Sequence, residues 1–489
     1  MINRSTPVAI ATALLLAGCS LIPTYERPAA PVAAQYTRAN ATAAAEGGTA
    51  AAQLPWQDFF QDARLQQLVR TALDNNRDLR VAALNIERAQ AQYRITRADQ
   101  FPTVGAGVNA SRAPNTTGSG TKYVNSYQVG LAVTSWELDF FGRIGSLKEA
   151  ALAQYLATEE ARRAAQTSLV AAVASGWYTL LADEQLLKIS RDTLQTREES
   201  IKLTKLRFDT GVASELDYRQ AVSLTEAARA TLAQQQRQRA LDENALVLLL
   251  GQSLPADVLA SLGSSQGLRD TADLPAVPAG LPSDLLTQRP DIRQAEQQLI
   301  STNANIGAAR AAFFPRITLT GQFGTASNEL SGLFKSGSWG FTLAPSALLP
   351  IFDAGRNSAN LAAAKVEREV AIAQYEKSIQ SAFREVSDAL DSQGTLRDQI
   401  MAQRAQLEAE QARLKLSDLR YSNGVASYLD LLDAQRTLFA LEQSTVSVRL
   451  AQLLNQIELY KALGGGWTDR TATAAAATPA PAPAPAPAQ

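Results

Sequence analysis

Two aspartates three residues apart, Asp430 and Asp433, carry the spacing in this chain most suited to chemistry. On a helix they share one face, with Leu429 one turn before Asp433. Paired carboxylates of this kind can do general acid–base work, which needs no metal. Other reagents are scarce. The 489 residues include no histidine and one cysteine, Cys19. That removes most zinc sites, every His-dependent triad, thiolate clusters and internal disulfides. The 46 basic and 47 acidic side chains balance to a net charge of −1, so no cationic excess exists to bind nucleic acid. Gly105-Ala106-Gly107 lacks the rest of a phosphate-cradling loop. The expectation is a protein that is not an enzyme, with no catalytic residue, no metal site and no cofactor.

The cysteine has a more specific reading. Arg4 and the apolar stretch Val8–Ala17, too short to span a bilayer, lead to Leu16-Ala17-Gly18-Cys19. This matches a bacterial lipoprotein signal: residues 1–18 are removed and the Cys19 thiol is acylated, a palmitate-type covalent N-terminal lipid. Ser20 follows instead of aspartate, and the bacterial sorting rule then gives the outer membrane. Residues 19–61 read as a lipidated N-terminal tether, and 465–489, ending in alternating Ala-Pro, as a disordered tail.

The aspartates must be positioned by elements that occur twice. Arg207-Phe-Asp-Thr-Gly211-Val212-Ala-Ser-Glu-Leu-Asp217 recurs as Arg420-Tyr421-Ser-Asn-Gly424-Val425-Ala-Ser-Tyr-Leu-Asp430, 213 residues later. Phe101-Pro102 and Phe314-Pro315, Gly142-Arg143 and Gly355-Arg356, and Leu250-Gly251 and Leu463-Gly464 keep the same offset. A tandem duplication follows, with repeats over 62–251 and 283–464 and a Gly/Pro/Ser-rich linker or equatorial segment over 252–282. Asp78 and Asp291 read as N-caps of the helices that end at the Phe-Pro pairs.

Two strands per repeat are expected, at 103–112 and 124–138, then 316–324 and 338–351. Their apolar faces carry Val104, Val108, Tyr127, Leu131, Phe323 and Phe341, alternating with small polar residues. The second strands are out of phase by one residue at Val129/Thr342 and realign at Trp136/Leu349, which implies unequal hairpin loops plus a bulge. A soluble sandwich is one reading of these strands. A membrane reading suits their length and small polar faces, but four strands cannot close a barrel and open edges are not tolerated in lipid. Three copies would supply twelve strands, so the membrane reading requires a homotrimer.

From Ser146 to Thr210 and from Ala359 to Asn423 there is no proline and a single glycine in each. Helices of about 65 residues would be roughly 100 Å long. Gly211 and Gly424 read as C-terminal caps, and Ser214 and Ser427 as N-caps of return helices to Leu250 and Leu463. Leu431, Ala434, Leu438, Leu441, Thr445 and Val448 follow a coiled-coil seam, read as packing.

The chain resembles the outer membrane factors, the TolC/OprM-type (NodT-like) lipoprotein ducts of RND tripartite efflux systems. Trp56-Gln-Asp-Phe-Phe-Gln-Asp-Ala-Arg-Leu65, Trp136-Glu-Leu-Asp-Phe-Phe-Gly-Arg143, Gly280-Leu-Pro-Ser-Asp-Leu-Leu-Thr-Gln-Arg-Pro-Asp-Ile-Arg293, Leu349-Pro-Ile-Phe-Asp-Ala-Gly-Arg356 and Tyr428-Leu-Asp-Leu-Leu-Asp-Ala-Gln-Arg436 carry the resemblance, in order along most of the mature chain. It implies an α+β membrane protein. The expected assembly is a TolC-like homotrimer, with a 12-stranded outer-membrane β-barrel, four strands per chain, continuous with a long periplasmic α-helical barrel.

The implied activity is passive conduction of drugs or other small solutes from a periplasmic membrane-fusion adaptor and an inner-membrane RND-type transporter to the exterior of a Gram-negative cell. The resemblance places the periplasmic gate at Leu429, Asp430 and Asp433 and adaptor docking at the tips Gly211, Val212, Gly424 and Val425. A ring of these aspartates would attract cations and favour opening by mutual repulsion. Arg436 is positioned to pair with Asp433, and Arg420, Tyr421 and Asp217 are further latch candidates; Gln220 replaces the second aspartate in the first repeat. Alternatives are a TolC-like type I secretion exit channel, a periplasmic coiled-coil lipoprotein with no pore, and, last, a paired-carboxylate enzyme.

Overall fold

The computed structural model describes residues 20–36, 50–115, 122–265, 267–278, 280 and 282–468. The signal segment 1–18, Cys19 and the tail from 469 onward lie outside them. The chain forms two compact units. The first comprises Met1–Ala29, Leu84–Glu159 and Gln294–Lys377, and the second Ala30–Ala83, Glu160–Arg293 and Ser378–Gln489.

The first unit holds a four-stranded antiparallel sheet of β1 (Val104–Asn115), β2 (Lys122–Leu138), β3 (Arg316–Ser327) and β4 (Trp339–Leu348), in that spatial order. The two repeats therefore join edge to edge through β2 and β3. Facing residues on these strands include Gly130 and Gly324, where an added Cβ would run into the opposite backbone. Only glycine allows that approach. Past Val133 the register shifts before Trp136, with Ser135 at a positive φ of 53°. This is the bulge the phase slip implied. The extra residue keeps Trp136 and Leu138 in phase with Leu319 and Ile317.

The alternation puts Ala106, Leu131, Phe323 and Phe341 in one cross-strand row and Val108, Val129, Thr325 and Trp339 in the next. Phe341 and Val108 are over three-quarters exposed in the single chain. The strands β1 and β4 are the edges of the sheet. At its base the buried carboxylate of Glu137 accepts from both Arg143 (2.7 Å) and Arg316 (2.6 Å). The N-terminal segment packs onto the same unit: Asn303 donates to the Pro23 carbonyl at 2.8 Å, and Tyr25 and Arg27 both donate to Glu296.

Helices make up the rest: α1 (Trp56–Phe59), α2 (Ala63–Asn75), α3 (Arg77–Ala98), α4 (Arg143–Asp209), α5 (Glu215–Leu250), α6 (Ala256–Ser264), α7 (Leu285–Gln288), α8 (Pro290–Ala311), α9 (Arg356–Ser422) and α10 (Tyr428–Ala462). The repeats match to the residue in α4 and α9, which are both 67 residues, or roughly 100 Å at 1.5 Å per residue. The interval between the repeats is not all irregular, since α6 lies in it and buries Val258 and Leu262.

Asp78 is not the cap expected of it. Asn76 accepts from the Leu79 N–H at 2.9 Å and leaves Asp78 in the first turn, because Asn76 holds the extended conformation before the helix. The same asparagine donates to the Leu249 carbonyl, and its counterpart Arg289 donates to the Ala462 carbonyl. Different side chains thus bind each return helix at equivalent carbonyls.

The largest buried side chains of the second unit are aromatic. Trp56, Phe59, Phe60, Trp177, Tyr178 and Tyr460 are almost completely buried. Phe59 stacks on Tyr460 at 4.0 Å, and the Tyr460 hydroxyl donates to the Leu54 carbonyl at 2.7 Å. Each such ring contributes about 1.5–3 kcal/mol by burial. Gly465 to Thr468, assigned to the tail by composition, belong to this core: Thr468 donates to the Ala52 carbonyl and Arg163 lies 5.4 Å from the Trp467 ring. A tryptophan has enough apolar surface to anchor a segment that alanine and proline cannot hold.

Candidate functional site

The two helical turns of the duplication end in the same local structure. After α4, Gly211 (φ 75°) lets the Val212 N–H reach the Arg207 carbonyl at 2.8 Å; after α9, Gly424 (φ 74°) does the same for Val425 and Arg420. Positive φ at these positions suits glycine, and the bonds satisfy the last helical carbonyls. The next helices open with reciprocal caps. Ser214 and Asp217 bond each other at the start of α5, as do Ser427 and Asp430 at the start of α10. Val212 and Val425 are left exposed at the apices.

The side chains of the two turns meet. Ala221, Tyr428, Leu431 and Leu432 form a small buried cluster, with Tyr421 packed against it. Tyr421 accepts a hydrogen bond from the Arg207 guanidinium, which also lies 5.0 Å from its ring. Tyr428 shares a 2.8 Å hydrogen bond with Ser200. Tyr421 is therefore held to the first repeat, and Arg207 is the partner that sequence reasoning missed. The signal was present, because Arg207 stands at the position equivalent to Arg420.

Leu429, Asp430 and Asp433 all lie on the exposed first turns of α10. Asp430 Oδ2 accepts from the Ser427 N–H (3.1 Å) and hydroxyl (2.9 Å), so this carboxylate has a structural bond of its own. Asp217 does the same for Ser214. Asp433 is paired with Arg413, reaching across from α9, and Arg413 also holds Glu410. Both acids push the Arg413 guanidinium above its already high pKa, which keeps it charged. Arg436, expected to pair with Asp433, is exposed and makes no ion pair among the described residues. A side chain from the facing helix reaches the aspartate first. Arg420 is exposed and contributes its carbonyl to the turn.

Among the described residues no group of three or more His, Cys, Asp or Glu side chains is placed to hold a metal. Among the same residues no helix is long and apolar enough to cross a membrane.

A family profile described as outer membrane efflux protein matches residues 68–252 and again 281–465, both boundaries displaced by the 213 residues of the internal repeat. The chain belongs to this family. The probable efflux pump outer membrane protein TtgC of Pseudomonas putida is 48% identical over 465 residues, covering 94% of this chain and 95% of that protein. Among solved structures, a membrane protein from Pseudomonas aeruginosa superposes with a TM-score of 0.85 at 45% identity, covering 92% of this chain and 98% of that one. The open state of the Neisseria gonorrhoeae MtrE outer membrane channel gives 0.83 at 41% identity, covering 92% and 99%.

This outer membrane efflux protein is accordingly a conduit rather than an enzyme, with the TolC-like fold of tandem repeats and four strands per chain. Neither the poreless scaffold nor the soluble sandwich survives that membership.

Proposed function

We propose that three copies of this chain form the exit duct of a tripartite efflux pump. The observation that carries this reading is the four-stranded sheet, which has two free edges and rows of exposed apolar side chains on one face. Edge β1 of one copy pairs with edge β4 of the next, and twelve strands close a barrel with no edge left in lipid. The apolar rows through Leu131, Phe323 and Phe341 face the hydrocarbon, and the small polar residues line a wet lumen.

The long helices continue the duct through the periplasm, and the lipid on Cys19 adds a second attachment to the outer membrane. A periplasmic membrane-fusion adaptor engages the tips at Gly211, Val212, Gly424 and Val425. An inner-membrane RND-type transporter supplies the energy. Leu429, Asp430 and Asp433 of the three copies form the constriction. The Arg413–Asp433 pair holds α10 against α9 in the resting state, and Arg207 and Tyr421 fasten the second hairpin to the first, with Arg420 and Arg436 available to neighbouring copies. Small solutes then pass outward without meeting lipid.

Native mass spectrometry of the membrane-extracted protein tests the assembly. Three chains, each beginning at an acylated Cys19, are expected. A monomer or an even-numbered oligomer would contradict the barrel closure.

A further inference from the structure

The second unit contains a cavity of about 250 Å³ between α4 and α10, with Arg269 on its rim, that the conduit reading does not use. One lining residue is unusual. Arg197, with a relative exposure of only 5%, donates one hydrogen bond, from Nη1 to Gln435 Oε1 at 2.8 Å, and makes no ion pair among the described residues. A guanidinium has five N–H donors and a fixed charge, and burying that charge without a counterion is costly.

Lys188 and Arg269 line the same cavity, so three cations face it. Its two carboxylates, Asp192 and Glu442, are bonded to none of the three. Burial and the nearby Asp192 raise the Glu442 pKa, with Arg269 opposing. Gln185, nine-tenths buried, also lines the cavity, and its side-chain oxygen has no partner. Its amide can be turned to offer N–H groups instead. Ile189, Leu438 and Phe439 add apolar surface to the same lining.

We infer that this cavity is a binding site for a small organic anion, with a carboxylate on Arg197 and an apolar body against Phe439 and Leu438. The volume lies just below the roughly 300–1,000 Å³ of sites for drug-sized ligands, which restricts the ligand to one or two rings. Cationic and apolar side chains in one lining select an amphipathic anion over inorganic phosphate.

Isothermal titration of the full chain in detergent tests this with 1-naphthoate, its neutral analogue 1-naphthamide and inorganic phosphate. Naphthoate should bind at least 10-fold more tightly than either. Arg197→Gln should weaken naphthoate at least 10-fold, and the exposed Lys188→Gln, which leaves the buried packing intact, should weaken it several-fold. Naphthamide or phosphate binding as well as naphthoate would overturn the assignment, as would unchanged affinity in Lys188→Gln. If naphthoate fails to bind and Arg197→Gln instead dissociates the oligomer, the counterion is a side chain of another copy and the ligand site is wrong.

Discussion

Asp433 and Arg413 show how far a local sequence pattern reaches. The spacing of Asp430 and Asp433 placed both on one exposed helical face, which the structure contains. It could not supply the partner, because Arg413 lies twenty residues earlier on a different helix and meets Asp433 only once the hairpin folds. The role of Asp430 in capping was half visible, since Ser427 and Asp430 have capping-box spacing. Asp183 was invisible from sequence. It is buried against Asp242, Glu184 and Arg239 lie nearby, and burial together with the Asp242 carboxylate raises its pKa from the ordinary 3.8 to about 7. The folded state therefore keeps a proton that the unfolded chain loses near pH 4. The contribution of Asp183 to stability is full below that point and is lost as pH rises through about 7. Asp183→Asn, which cannot ionise, should flatten the decline. Thermal unfolding at pH 5 and pH 8 checks this: the wild type should melt lower at pH 8, and the variant should melt nearly alike at both. Equal melting of the wild type at the two values would refute the buried proton.

Elements were more legible than contacts. The absence of proline over two stretches foretold α4 and α9, and the glycine turns foretold their ends, since these are local backbone constraints. Strand alternation gave the exposed apolar rows. What alternation could not give was the pairing of β2 with β3, because partners so distant in sequence are chosen by the fold as a whole. The N-terminal segment was read as a tether and the residues after Gly464 as disordered, from composition, yet Tyr25, Arg27, Tyr36 and Trp467 are single side chains that tie such segments down. Gly130 concentrates the strand-pairing requirement in one position. A Cβ there collides with the Phe323 and Gly324 backbone, so Gly130→Val should separate the two halves of the sheet. Size-exclusion chromatography should show loss of the assembled oligomer for this variant, while Gly105→Ala, with open space around it, should assemble normally.

For the whole molecule, the duplication is the controlling fact. Two copies of a helix–strand–strand–helix–helix unit give one chain a sheet with two usable edges and a pair of helical turns that dock on each other. Neither half alone has both. The chemistry that composition excluded is chemistry a conduit does not need, and in the gate we propose the carboxylates of Asp430 and Asp433 act through charge, with Leu429 narrowing the same level. Single-channel recording in planar bilayers tests this most directly, comparing the wild type with Asp430→Ala/Asp433→Ala. Loss of the Arg413 pair and of the carboxylate ring should give a larger conductance and weaker cation selectivity in the variant. Conductance and selectivity identical to the wild type would contradict a gate at these residues.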